Sequence, residues 1–165
     1  MSRYDSCSLS DFELKLQAIE KPIMFTVKVL TAEDISLLMN AADDVFDNPV
    51  DEQLTREFLE DHRHHIVVAI ADGVVIGFAS ALHYVHPDKR PELWIDEVAV
   101  APSHQNKGVG KAIMRALLQL GKQLGCVNAW VLTDRSNASA NALYKSVGGR
   151  IADGDTVMYE FGESE

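Results

Sequence analysis

Apolar and polar positions along the chain switch repeatedly between a two-residue and a three-to-four-residue period, and each switch marks an element. Phe25-Thr26-Val27-Lys28-Val29-Leu30 alternates and predicts a first strand. Thr31, followed by Glu33 and Asp34, predicts a capped helix whose apolar face is Ile35, Leu37, Leu38 and Ala42. A second helix is predicted over 51–60, and unbroken apolar runs over 66–71 and 74–82 flank Asp72-Gly73, a two-residue hairpin signal. A polar stretch over 83–91, either a hairpin loop or the rim of an acceptor site, leads into a fourth strand over 92–100. Helical spacing returns over 108–124, with Gly125 placed to end it, and a fifth strand is predicted over 127–133. Asp134-Arg135-Ser136 turns into a helix over 137–146, capped by Ser136 or Asn137 and stopped by Gly148-Gly149. Residues 150–152 and 156–161 predict a closing hairpin around Asp153-Gly154-Asp155. Residues 1–20 form an extension, with one short amphipathic stretch over 11–19 that packs on the domain or on a second copy. Residues 21–165 form one domain of order β-α-α-β-β-β-α-β-α-β-β.

The most distinctive junction is Val98-Ala99-Val100-Ala101-Pro102-Ser103-His104-Gln105-Asn106-Lys107-Gly108-Val109-Gly110-Lys111, where a strand passes through a polar loop into a helix. Gln105, Gly108 and Gly110 spell Q-x-x-G-x-G. Glycines there let the backbone approach a ligand, and the first helical amides have no internal partner, so the loop suits a phosphate. A Walker loop is excluded, because Ala112 follows Gly110-Lys111 and position 105 is Gln. A dinucleotide fingerprint is excluded by Ile113, where its third glycine would stand. On the glycines alone, a plain strand-to-helix connection without a ligand accounts for the loop equally well.

A second block, Asn137-Ala138-Ser139-Ala140-Asn141-Ala142-Leu143-Tyr144-Lys145-Ser146-Val147-Gly148-Gly149, changes that balance. With Q-x-x-G-x-G, a helix and a strand before it, N-x-x-A-x-x-L-Y resembles the GCN5-related N-acetyltransferase (GNAT) family, over about 25–161 and most specifically over 92–149. The resemblance implies an α/β GNAT fold: a mixed, mostly antiparallel sheet flanked by about four helices, with strands four and five splayed apart. It implies acetyl-CoA as co-substrate, its pyrophosphate on the amides of Gln105, Asn106, Lys107, Gly108, Val109 and Gly110. It also puts the pantetheine arm along the backbone of Val98, Ala99 and Val100, Asn137 and Ala140 on the cofactor side, and Tyr144 near the sulfur. Lys107, Lys111 and Arg115 supply local positive charge.

That local charge matters because the chain of 165 residues carries a formal net charge of -10. Such a balance disfavours nucleic acid or an anionic membrane and favours a cationic partner. At 47% hydrophobic residues the length supports one core. Cys7 and Cys126 are too few for a disulfide framework and no apolar run spans a bilayer, so the expected compartment is the cytoplasm. The run Asp61-His62-Arg63-His64-His65 reads as a surface connector, because adjacent side chains diverge and cannot converge on a metal; no metal is expected.

Acyl transfer to an amine requires removal of a proton from the amine, and a donor helps the departing thiolate. The phenol of Tyr144 is the candidate acid, with a core aromatic as the alternative. Asp96, Glu97 and Asp134 are the candidate bases, and period-two alternation puts Asp96 and Glu97 on opposite faces, so at most one enters the cleft. The acidic run containing Asp43, Asp44 and Asp47, with Phe46 as an aromatic platform, is either a solvated connector or a wall of a cationic-acceptor site. Within the family the chain is most similar to the aminoglycoside 3-N-acetyltransferases. The similarity lies in Trp94-Ile95-Asp96-Glu97-Val98-Ala99-Val100, in Asp134 and in the acidic run; Asp96 in place of an aromatic and Asn137 in place of an acid depart from it. It implies an aminoglycoside acceptor held by Asp43, Asp44, Phe46, Asp47, Glu97 and Asp134, acetylated directly in a ternary complex. Acetylation of peptide amines or polyamines, and a non-catalytic acyl-CoA-binding module, are the competing readings. A homodimer is compatible with the 1–20 extension.

Overall fold

The computed structural model describes residues 23–152 and 158–159. The short helix expected over 11–19 and most of the closing hairpin over 150–161 therefore lie outside the described residues. Five strands, β1 (Thr26–Val29), β2 (His64–Ala71), β3 (Val74–Tyr84), β4 (Glu92–Val100) and β5 (Ala129–Val131), form one sheet in sequence order. The first three pairings are antiparallel, and β4 pairs with β5 in parallel. The β2–β3 hairpin closes on Asp72-Gly73, both at positive φ, as a two-residue turn requires.

The helices cover the sheet unequally. One face carries α3 (Val109–Gln123), whose Val109, Ile113, Met114 and Leu117 pack on Val67, Ala69, Ala79, Ala81, Leu93 and Ile95. Each of those α3 side chains is buried almost completely, and burying one contributes about 1.5–3 kcal/mol. α4 (Ala138–Ser146) joins the same side through Leu143 and Tyr144. The opposite face carries α1 (Ile35–Leu38) and α2 (Glu52–Glu60) over β2 and β3, with Phe78, Val68 and Ile66 against Leu38 and Val45. Asp96, Glu97 and Trp130 are exposed, so the β4–β5 half of that face remains open.

The first helix is shorter than its apolar pattern predicts. Asn40 accepts the Val75 amide at 2.9 Å, and the Ala42 amide donates to Val75 at 2.8 Å, so the chain after Leu38 becomes a strand-like edge on β3. That pairing carries Ala42 inward without a further helical turn. The fifth strand also contracts, from the expected 127–133 to Ala129–Val131, since its partner β4 diverges beyond Ile95.

The histidine run is a surface connector only over 61–63; His64 and His65 belong to β2. The ring of His64 stacks on Phe58 with centroids 4.9 Å apart, and His65 Nε2 lies 2.7 Å from His83 Nδ1 on β3. Among the described residues no group of three or more His, Cys, Asp or Glu side chains could hold a metal ion. Burial, followed by the charge of His83, pushes the His65 pKa down to about 4 from an ordinary 6.5. The unfolded chain therefore binds a proton at His65 before the native state does. The associated stability is complete above pH 6.5 and is lost as the pH falls toward 4. The expected result is a Tm that drops across that window in wild type and less steeply in His65→Gln, measured by calorimetry.

Candidate active site

Beyond the Leu93–Ile95 pairing with Ala129–Val131 the two strands separate, and this opens the cleft. The Ala101 amide donates to the Ile76 carbonyl at 2.9 Å, toward β3. Strand alternation then turns the backbone groups of Val98 and Val100 away from β3, into the cleft. The side chain of Gln105 donates from Nε2 to the Val100 carbonyl at 3.0 Å, which ties the loop back to the strand it leaves.

The loop runs through a short 3-10 turn, Pro102–His104, and then through two left-handed positions, Asn106 (φ 59°) and Gly108 (φ 83°). Asparagine tolerates that region and glycine is at ease in it. The first intrahelical bond runs from the Ala112 amide to the Gly108 carbonyl, so the amides of Val109, Gly110 and Lys111 precede the helical ladder. This is the nest-and-helix-terminus arrangement that receives an anion, and nothing lies within 4 Å of where a Gly108 side chain would begin. Gly110 serves a different purpose: a Cβ there would stand 3.3 Å from Leu143 Cδ2, so α4 docks closely on the first turn of α3. Gly108→Ala should destabilise the fold by about 1–2 kcal/mol in urea denaturation and weaken CoA binding in calorimetry, with Gly108→Asn retaining more of both.

The docked α4 carries Tyr144 next to Leu143. Its phenol is half-buried against the α3-side core, and burial pushes its pKa above the ordinary 10, so it keeps its proton at neutral pH. The Asn137 side chain caps α4 by accepting the Ala140 amide at 3.0 Å. Asn137 Oδ1 and the Ala140 amide are thus committed to each other. The Asp134 carbonyl accepts from the Asn137 amide and from Asn141 Nδ2, each at 3.0 Å, while its carboxylate is exposed.

The strand-four carboxylates depart from the simple alternation. Ser80 pairs with Glu97 but Ala81 pairs with Ile95, which makes Asp96 the extra residue of a β-bulge. Ile95 and Val98, three positions apart, both pack on the α3 side, so Asp96 and Glu97 lie together on the opposite, open face. The expectation that alternation would separate them is overturned, because the bulge adds the residue that alternation lacks. Loss of hydration, then the charges of Asp47 and Asp96, raise the Glu97 pKa above its ordinary 4.5.

Asp47 reaches this group from the acidic run because Phe46 anchors that run, stacking on Phe78 with centroids 4.2 Å apart. Phe46 therefore commits one face to the core. Asp43 lines a shallow hollow of about 360 Å³ with Met39, Phe46 and Pro49, and Asp44 is exposed at φ 60°. The structure thus unites Asp47, Asp96 and Glu97. No interaction among the described residues joins Asp43, Asp44 or Asp134 to them.

Two residues on the open face, Glu92 and Trp130, escaped the sequence reading, and Tyr84, expected in a loop or acceptor-site rim, ends β3. Glu92 Oε2 accepts the Tyr84 hydroxyl at 2.6 Å and the Trp130 Nε1–H at 3.2 Å, and Trp130 stands in register with Trp94. Alternation alone puts Trp94 opposite Leu93 and Ile95; only the parallel β4–β5 register shows that Trp130 joins it.

A splayed sheet with an amide-rich loop at its fork is the fold that the sequence resemblance implies. Residues 34–148 match the Acetyltransferase (GNAT) family, and the chain belongs to it. Streptothricin acetyltransferase of Streptomyces lavendulae is 33% identical over 107 residues, covering 64% of this chain and 55% of that protein. Aminoglycoside N(6')-acetyltransferase type 1 of Salmonella typhimurium is 32% identical over 85 residues, covering 49% and 59%. The chain spans about half the length of the curated relatives it matches. In fold it is similar to an aminoglycoside acetyltransferase from an uncultured soil metagenomic sample, with a TM-score of 0.71 and 18% identity, covering 84% of this chain and 97% of that one. It is similar also to the aminoglycoside N-acetyltransferase AAC(6')-Iy, solved in complex with CoA, with a TM-score of 0.67 and 20% identity, covering 86% and 97%.

Proposed function

We propose that the protein transfers acetyl from acetyl-CoA to a primary amine of a cationic small molecule, an aminoglycoside or related aminosugar, by direct transfer in a ternary complex. The observation that carries this reading is the bulge at Asp96, which turns Asp96 and Glu97 to the open face beside the fork, where the charge of Asp47 also bears on Glu97. The loop fits acetyl-CoA: amides of 109–111 at a positive helix end, left-handed Asn106 and Gly108, and local Lys107, Lys111 and Arg115 offset an otherwise anionic chain. Bound there, acetyl-CoA supplies an activated acyl group as its thioester.

Glu97 takes the proton of the ammonium form of the acceptor, directly or through water, and its raised pKa narrows the gap to that amine. Asp47 and Asp96 hold the positive charge of the approaching acceptor. Tyr144 Oη gives its proton to the departing thiolate as the N–C bond forms and the C–S bond breaks, and the second proton, left on the acetylated nitrogen, restores the phenol.

The strand-four pattern favours acetylation at position 3 of the aminoglycoside, whereas the name of the Salmonella relatives favours position 6'. A thiol-release assay over gentamicin-type aminoglycosides, polyamines and peptides, followed by NMR of the product, tests both. Activity confined to peptides would exclude the aminosugar reading, and calorimetry showing no binding of CoA would exclude the enzyme. No helix among the described residues is long and apolar enough to cross a membrane. We place the reaction in the cytoplasm, where acetyl-CoA is available.

A further inference from the structure

The open half-face continues past the carboxylates to an aromatic wall that the proposed chemistry does not use. Trp94 and Trp130, the two tryptophans of the chain, stand side by side across the β4–β5 pairing at the base of the fork. Trp130 is 40% exposed although its strand is paired and its neighbours Ala129 and Val131 pack into the core. Leaving a large aromatic in water forgoes the stabilisation that burial would give. Yet its indole is fixed rather than loose: the N–H is bonded to Glu92 Oε2, and Glu92 is in turn held by the Tyr84 hydroxyl on β3. A three-strand linkage thus orients a single exposed ring.

We infer that Trp130 is an acceptor-binding residue that contacts a second ring of a multi-ring aminosugar, and that Glu92 and Tyr84 are its positioning pair. This rests on the aminosugar reading above. The spacing supports it, because Trp94 and Glu97 are three residues apart on β4, about 7–10 Å along the strand with the bulge. An amine at Glu97 needs a further ring to reach the wall. Charge supports it as well, since Glu92, Asp96, Glu97 and Asp47 border the surface with carboxylates, while an indole face suits both the apolar side of a sugar ring and a neighbouring ammonium.

The test compares neamine, with two rings, and 2-deoxystreptamine, with one, as acceptors for the full chain. Trp130→Ala should raise KM for neamine about tenfold and leave KM for 2-deoxystreptamine and for acetyl-CoA within about twofold; Trp130→Phe should retain most of the neamine affinity. Glu92→Ala should reproduce the Trp130→Ala pattern, and Glu92→Gln, which keeps an oxygen acceptor for Trp130 and Tyr84, should largely restore it. Neamine added to the CoA-loaded wild type should change the indole fluorescence, a measurement that needs no variant. An unchanged neamine-to-deoxystreptamine ratio in Trp130→Ala, or fluorescence indifferent to neamine, overturns the inference while wild-type turnover keeps the aminosugar reading. Wild type that acetylates neither amine overturns both.

Discussion

Glu97→Gln is expected to lower kcat/KM for an aminoglycoside acceptor by about 10²–10³-fold at pH 7, with the Kd for CoA unchanged in calorimetry. The carboxylate must be ionised to accept a proton, so wild-type activity should rise with pH through a pKa above the ordinary glutamate value of 4.5, and this limb should vanish in the variant. The same group costs stability. A carboxylate whose native pKa exceeds its unfolded value imposes no penalty while both states are protonated. As the pH rises through 4.5 the unfolded chain gives up its proton first, and stability falls. Glu97→Gln should therefore have a higher Tm than wild type at pH 7, with the difference closing below pH 4.5. Loss of turnover together with gain of stability is the signature of a site that holds its carboxylates together for function.

Tyr144→Phe carries the second large effect: a fall in kcat of about 10²-fold, read by single-turnover thiol release, with CoA affinity intact. The ring stays in its place against the α3-side core, so only the proton donor is removed. Because burial raises the phenol pKa above 10, its ionisation should not shape the pH profile below that value. Unchanged turnover would assign Tyr144 to packing alone. CoA binding in the wild type without thiol release for any amine would favour an acyl-CoA-binding module over an enzyme.

Much of this architecture is legible one residue at a time. The apolar spacing of Val109, Ile113, Met114 and Leu117 announces α3 and its buried face, and Asp72-Gly73 announces a hairpin, because these signals are local. The strand-loop-helix junction is equally legible, since positive φ at Gly108 and the unladdered amides of 109–111 follow from where glycine stands relative to a helix start. Local signals mislead where a partner intervenes. The first helix ends early because β3 captures the backbone of Asn40 and Ala42, and His65 is drawn into β2 within hydrogen-bond reach of His83, competitors that lie more than thirty and nearly twenty residues away respectively. Phe46 likewise reads as a platform until Phe78 is seen beneath it.

The sequence by itself determined the loop and the candidate chemistry: which residues can carry a proton, which amides stand open and which acceptor charge the net charge favours. Those properties belong to residue types and short spacings. Tertiary structure decided which of the carboxylates act together and what stands beside them. One extra residue opposite Ser80 turns Asp96 and Glu97 to a common face, and one parallel register brings Trp130 to Trp94. Strand pairing is a relation between distant segments, and a shift of a single position reverses every side chain; a local pattern contains no term for either.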